Sequence, residues 1–306
     1  MSYSFVYKSR KPSFLKRFIG KVVKISLTVL FLLLFVFGTY FFLNQKTTLK
    51  TITSLGKKIA SQPAEKKAPE PRKPDEEKKK ALLAKLKKDL APSSDFRVSI
   101  NDIEINDKFG IKETSPLHAA SVIKVLVATT ALRGVEQGKL SLDQPLGGYT
   151  LQYQIQQMIN QSNNLSWDLI NNLIGKDTEQ RQADSLGLLK VDVENNRMTT
   201  RAVSDLLYGL YAGKVLSKTH RQLLLSYMAN TNKEDRIPPG IPKGIKVYHK
   251  WGAYNAEIHD AAIVAHPRHP FTLVVFTNGG GTYQNRVKAI QKAAADVYAY
   301  FDAIEG

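Results

Sequence analysis

Ser121 and Lys124 stand three residues apart in LHAASVIKVLVATTALRGV, where an apolar run follows at once. A serine hydroxyl is a poor nucleophile near neutral pH unless a neighbour accepts its proton, and i to i+3 spacing on a helix stacks two side chains on one face. Lys124, buried among Val, Ile and Leu residues, would lose basicity by desolvation and so become able to accept that proton. A helix N-terminus at Ser121 would add free N–H groups and a dipole that favours developing negative charge. Ala119 and Ala120 leave room for a substrate. The spacing alone carries little weight, because Ser13 to Lys16 and Ser54 to Lys57 repeat it in polar or basic flanks.

Two further groups lie downstream. Ser162, Asn163 and Asn164 follow a short amphipathic segment, LQYQIQQMINQS. A hydroxyl and an amide two positions on can line a cleft, the Ser162 hydroxyl relaying a proton and the Asn164 amide fixing a carbonyl. The competing reading is a capping Ser followed by turn asparagines, since LSWDLINNLIG is itself a helix in need of an N-terminus. In HKWGAYNAEIHDAAIVAHP, Lys250 would put an ammonium beside the cleft and Gly252 would let a substrate approach the backbone. The alternative is a strand lysine pointing to solvent. His259 and Asp260 suggest a triad, but adjacent strand residues face opposite sides, which favours a structural role.

The elements that must position these groups follow from periodicity. DEEKKKALLAKLKKDL predicts a helix from near Asp75 with acids first, lysines later and a stripe of Leu82, Leu83, Leu86 and Leu90 that packs on the domain. FRVSINDIEIN reads as a strand entering a hairpin at DKFG, with Gly110 supporting the turn. An extended segment through Pro116 leads to the Ser121 helix, which runs to about Glu136 and stops at Gly138. KVYHKW reads as an edge strand, GAYNAEI as a turn, and HDAAIVAHP and FTLVVFTNGG as the next two antiparallel strands. YQNRVKAIQKAAADVYAYF completes the chain as a helix lying on the sheet.

The formal charge of +17 is unevenly spread. Through Ser94 there are 21 Lys and Arg against 6 Asp and Glu, a net of +15; from Asp95 onward 23 stand against 21, a net of +2. The folded part is nearly neutral, and no nucleic-acid motif is present. The excess belongs to residues 1–24, a basic cytoplasmic segment, and to the linker, where anionic lipid or wall polymer is the expected contact. Residues 25–43 carry no charge and have the length of a transmembrane anchor, with the N-terminus cytoplasmic and the remainder exported. Residues 44–80 are rich in Pro, Lys and Glu and read as an extended linker. Residues 81–306 form the catalytic domain. The chain has no cysteine, which excludes a disulfide framework and a thiol nucleophile, and its six histidines show no metal-ligand spacing. No cofactor is expected.

In order, SVIK, SNN and HKWG resemble the three motifs of the penicillin-recognising serine hydrolases, most closely the class A beta-lactamase catalytic domain. The resemblance covers roughly Asp95 to the C-terminus. It implies an α/β fold of the α+β type: an antiparallel sheet flanked by helices, plus a mostly helical lobe carrying Ser121 and Ser162. By resemblance, Ser121 is the acylated nucleophile, Lys124 its base, Ser162 a proton relay and Lys250 a steering charge. Asn164, Gly252 and Ala253 bind substrate, and the N–H groups of Ser121 and Ala253 form the oxyanion hole. Substrates would be a beta-lactam or a peptidoglycan stem peptide.

Three departures matter. Asn163 replaces the family's usual Asp. Trp251 replaces a Thr or Ser whose hydroxyl helps hold the substrate carboxylate, and an indole accepts no hydrogen bond. The segment before Thr199 is too short for the loop whose glutamate activates the deacylating water, and Glu194 is the sole glutamate in it. The resulting expectation is a membrane-anchored beta-lactamase-like serine hydrolase. The alternatives are a low-molecular-weight penicillin-binding D,D-peptidase and a binding or sensing module of the same fold that has lost turnover.

Overall fold

A computed structural model describes residues 39–40 and 72–304. The chain divides into two units, Met1–Glu70 and Pro71–Gly306. All but two residues of the apolar 25–43 segment lie outside the described residues, as do the basic segment and most of the linker. Among the described residues no helix is long and apolar enough to cross a membrane.

The second unit begins with helix α1 (Glu76–Asp89), capped by the Asp75 carboxylate, which accepts from Lys78 N at 3.0 Å. Acids occupy its first turn and lysines its last, as the helix dipole favours. Leu82, Leu86 and Leu90 are buried and Leu83 partly so, which matches the stripe read from the sequence.

Five antiparallel strands form the sheet: β1 (Asp95–Asp102), β2 (Asp107–Ile111), β7 (Val247–Tyr254), β8 (Glu257–Val264) and β9 (Phe271–Asn278), in the order β2-β1-β9-β8-β7. Side chains alternate between two cores. Val98, Ile100, Ile258, Ala262, Leu273 and Val275 face α1 and the C-terminal helix α8 (Tyr283–Asp302). Ala261, Ile263, Val274 and Phe276 face the helical lobe. With both faces covered, β8 is buried along its whole length, which explains its near-continuous apolar sequence.

The lobe holds α2 (Lys124–Glu136), α3 (Leu151–Asn160), α4 (Asn164–Ile174), α5 (Lys176–Ser185), α6 (Thr200–Tyr211) and α7 (Lys218–Tyr227). Two-residue strands complete it: β3 (Leu117–His118) pairs with β6 (Arg197–Met198), and β4 (Pro145–Leu146) with β5 (Tyr149–Thr150).

Three local expectations need correction. The first hairpin turns at residues 103–106, with Asn106 at φ 52, and not at Gly110. Gly110 lies within β2, where a Cβ would sit 2.1 Å from Val98 O, so close backbone approach and not turning requires the glycine. The segment GAYNAEI is not all turn: β7 continues to Tyr254, and only Asn255 and Ala256 connect it to β8, with Asn255 at φ 49 as a two-residue hairpin requires. Ser121 stands not in an α-helix but in a 3-10 turn, Ala120–Ile123, that feeds α2.

Candidate active site

The 3-10 turn has a direct effect on Ser121 and Lys124. At three residues per turn, side chains at i and i+3 eclipse more closely than in an α-helix. Ala120 enters the turn at φ 47, a left-handed conformation that costs a non-glycine residue roughly 1–2 kcal/mol. Asn196 holds it there. Its carbonyl accepts from Ala119 N at 2.8 Å and its Nδ2 donates to Ala120 O at 3.1 Å.

Lys124 has no exposed surface. Its Nζ donates to Ser162 O at 2.8 Å and to Asn164 Oδ1 at 2.6 Å, and lies 5.1 Å from the Trp167 ring centre. Burial lowers its pKa to about 8, with the Asp168 charge opposing in part. A neutral amine has two N–H bonds and one lone pair. With both N–H bonds committed to Ser162 and Asn164, the lone pair is engaged by neither.

The Ser162-Asn163-Asn164 group divides its labour differently from a simple cap. Asn163 is the N-cap of α4, its Oδ1 accepting from Ser166 N at 3.0 Å. Ser162, at φ 56, is thereby released from capping and its Oγ accepts from Lys250 Nζ at 2.9 Å. Lys250 is fully buried and also donates to Trp251 O at 2.9 Å. Burial first, and the nearby Lys124 charge second, push its pKa well below that of an ordinary lysine. The solvent-facing reading of Lys250 is therefore overturned.

Strand β7 is an edge, and its free side faces the Ser121 turn. His249 N donates to Met228 O at 2.8 Å, away from β8. By antiparallel alternation the N–H groups of Trp251 and Ala253 point the same way. A Cβ on Gly252 would lie 3.1 Å from Ser121 N and 3.2 Å from Ala120 Cβ. Gly252→Val is expected to displace the Ser121 turn and slow acylation about 10²-fold, measured by the rate at which an acylating substrate adds mass to the protein.

Trp251 does not cap the cleft alone. Its Nε1 donates to Asn232 Oδ1 at 3.1 Å, and the ring lies 4.6 Å from Lys250 Nζ, 5.3 Å from the Arg236 guanidinium carbon and 5.8 Å from Lys233 Nζ. Arg236 is wholly buried although its sequence context, KEDRIPP, resembles a solvated charge run. It donates to His259 O at 3.2 Å.

His259 and Asp260 do face opposite sides. His259 Nε2 donates to His118 O at 3.0 Å, Nδ1 accepts from Thr277 N at 3.2 Å, and the ring stacks on Phe276 at 4.3 Å. Burial drops its pKa to about 3, so it is a neutral packing residue. Asp260 accepts from His249 Nδ1 at 2.9 Å and from Ile237 N at 3.0 Å. Neither forms a triad with Ser121.

Glu194 lies in the short connection between α5 and β6. Its side chain is 74% exposed and its Oε1 accepts from Lys176 Nζ at 3.2 Å.

The Beta-lactamase enzyme family matches residues 79–301. The chain belongs to that family, and it is a serine hydrolase. A beta-lactamase from Chitinophaga pinensis is 23% identical, with a TM-score of 0.67 over 72% of this chain and 98% of that one. The reconstructed last common ancestor of Gram-negative class A beta-lactamases is 22% identical, with a TM-score of 0.67 over 72% and 99%. PBP-A is 20% identical, with a TM-score of 0.67 over 73% and 97%. These likenesses establish the fold. Among curated proteins no relative matches.

Proposed function

We propose that the protein hydrolyses beta-lactams through an acyl-enzyme on Ser121, with its catalytic domain held outside the cell by the anchor at residues 25–43 and the linker at 44–80. The observation that carries this reading is the buried Lys124 amine, three residues from Ser121, its basicity lowered by burial and its N–H groups held by Ser162 O and Asn164 Oδ1. Ser121 Oγ attacks the strained amide carbonyl as Lys124 takes its proton. The developing oxyanion is met by the N–H groups of Ser121 and Ala253, a donor pair in which one loss typically costs about 3–4 kcal/mol of barrier. Ser162 Oγ, supported by Lys250 Nζ, relays a proton to the departing nitrogen. Asn164 binds the substrate amide from the side that also holds Lys124. Lys233 and Arg236 around Trp251 supply positive charge for a substrate carboxylate in place of the missing hydroxyl.

A second reading, a penicillin-binding D,D-peptidase acting on peptidoglycan stem peptides, is favoured by one observation. The α5 to β6 connection is short and its glutamate is solvated and paired with Lys176, which would leave an acyl-enzyme long-lived.

Intact mass after mixing with benzylpenicillin tests both readings. The expected result is an adduct that forms and decays while penicilloic acid accumulates, and no adduct at all in Ser121→Ala. A persistent adduct would select the D,D-peptidase reading, and absence of an adduct in the folded wild type would overturn acylation by beta-lactams.

A further inference from the structure

His118 stands three residues before Ser121, and its side chain joins the sheet to the helical lobe. Its Nδ1 lies 2.6 Å from Glu257 Oε2 at the start of β8, and its Nε2 lies 3.2 Å from Asn196 Nδ2, just before β6. The same Asn196 Nδ2 donates to Ala120 O at 3.1 Å. A continuous line of hydrogen bonds therefore runs from β8, through one imidazole and one amide, to the residue that precedes the nucleophile.

The two ends of this line fix its polarity. Glu257 is buried, and its carboxylate accepts, as does the Ala120 carbonyl. The Asn196 amide has two N–H groups, one for Ala120 O and one for the imidazole. His118 must then donate from Nδ1 and accept at Nε2, which only the neutral Nδ1–H form of the ring does. A hydrogen on Nε2 would meet Asn196 Nδ2 donor to donor. The amide would have to turn Oδ1 toward the ring, and Ala120 O would lose its donor.

What the line holds is a strained backbone. Ala120 at φ 47 and Asn196 at φ 49 are both left-handed, a conformation that a non-glycine residue keeps only when its surroundings enforce it. We propose that His118 is a positioning residue for acylation: by accepting from Asn196 it keeps that amide turned to Ala120 O, and so holds the 3-10 turn that presents Ser121. This rests on acylation at Ser121 as proposed above. The ring is itself well anchored. His118 O accepts from His259 Nε2 at 3.0 Å, and the Tyr254 ring lies 4.9 Å from the imidazole. Glu257, His259 and Tyr254 are the titratable groups that face it, and Arg197, opposite in the β3–β6 pair, turns its guanidinium to Pro116 O at 3.2 Å.

Replacing one ring nitrogen at a time tests the assignment in the full-length protein, with formation of the benzylpenicillin adduct followed by intact mass after rapid quenching. An asparagine at 118 places its amide near the position of Nδ1, within reach of Glu257 and short of Asn196. A glutamine places its amide near the position of Nε2 and offers Asn196 an acceptor. His118→Asn is expected to slow acylation about 10²-fold, and His118→Gln to acylate about tenfold faster than His118→Asn. Asn196→Ala removes the side-chain bond to Ala120 O, leaves the backbone bond to Ala119 N, and tests the same line should His118→Asn not fold. It is expected to slow acylation about 10²-fold, and the double variant with His118→Asn to be no slower, because His118 acts through Asn196. A His118 that merely supported the fold would lower the melting temperature of both His118 variants, would slow them equally, and would add its loss to that of Asn196→Ala. Wild-type acylation in His118→Asn, equal rates in the Asn and Gln variants, or additive losses in the double variant would overturn the assignment. If the wild type forms no adduct, it is the acylation reading that has failed, and this assignment falls with it.

Discussion

Lys124→Ala is expected to slow formation of the benzylpenicillin adduct by about 10⁴-fold, the upper end of what a single general base contributes. The other buried bases among the described residues are directed elsewhere. Lys250 Nζ is drawn to Ser162 Oγ and Trp251 O, and His259 is turned to His118 O and Thr277 N. In the wild type, acylation requires the neutral amine. With burial holding Lys124 at about 8, the acylation rate should rise with pH up to about 8 and then level. Lys124→Arg should not rescue it, because a guanidinium stays charged and has no lone pair to offer. Stopped-flow acylation across pH 6 to about 10 checks both statements; a flat profile in the wild type would remove Lys124 as the base.

Asp260→Ala is expected to cost the fold about 3–5 kcal/mol, because it strands a buried partner. Asp260 and His249 are both buried, joined at 2.9 Å, and His249 Nε2 reaches Glu234 Oε1 at 3.0 Å. Burial works against a charged imidazole here, but Asp260 and Glu234 win and raise His249 to about 9. Burial likewise works against the Asp260 carboxylate, and the His249 charge still holds it below the ordinary range. The two shifts bound a pH window. The raised His249 stabilises fully below its unfolded value of about 6.5 and loses that contribution as pH rises through about 9. The depressed Asp260 stabilises above its unfolded value of about 3.8 and loses that contribution as pH falls. Urea unfolding of the wild type and of Asp260→Ala should therefore differ most between roughly pH 4 and 6.5, and the difference should shrink toward pH 9 and above. An equal difference at pH 6 and pH 9.5 would mean that the pair is not ionised as described.

How much of this was legible in the chain depends on whether a residue's role is set locally. The Ser121 to Lys124 spacing, the amphipathic α3, the leucine stripe of α1 and the antiparallel β8 and β9 all announce themselves through periodicity over a few residues. The order of the three motifs then brings Ser121, Lys124, Ser162 and Lys250 to one cleft. Asn163 shows where local reading stops. The sequence suggests that Ser162 caps α4, but the backbone at φ 56 hands the cap to the next residue. Glu179 and Arg236 are harder still. Each sits among polar neighbours and reads as solvated, yet each is buried because distant segments close over it. Gly110 failed for the same reason, since the atom that requires it, Val98 O, belongs to the neighbouring strand.

The left-handed backbone at Ala120 and Ser162 also bears on how this protein would respond to selection. Both residues lack glycine's freedom, so the cleft holds conformational strain on each side of the nucleophile. Relief is one substitution away: Ala120→Gly adopts the left-handed backbone without strain and loosens the turn. A library of this chain screened for heat resistance alone would gather such changes and discard turnover with them, whereas a screen for activity would retain the strained positions and gain robustness in the α1 and α8 layer.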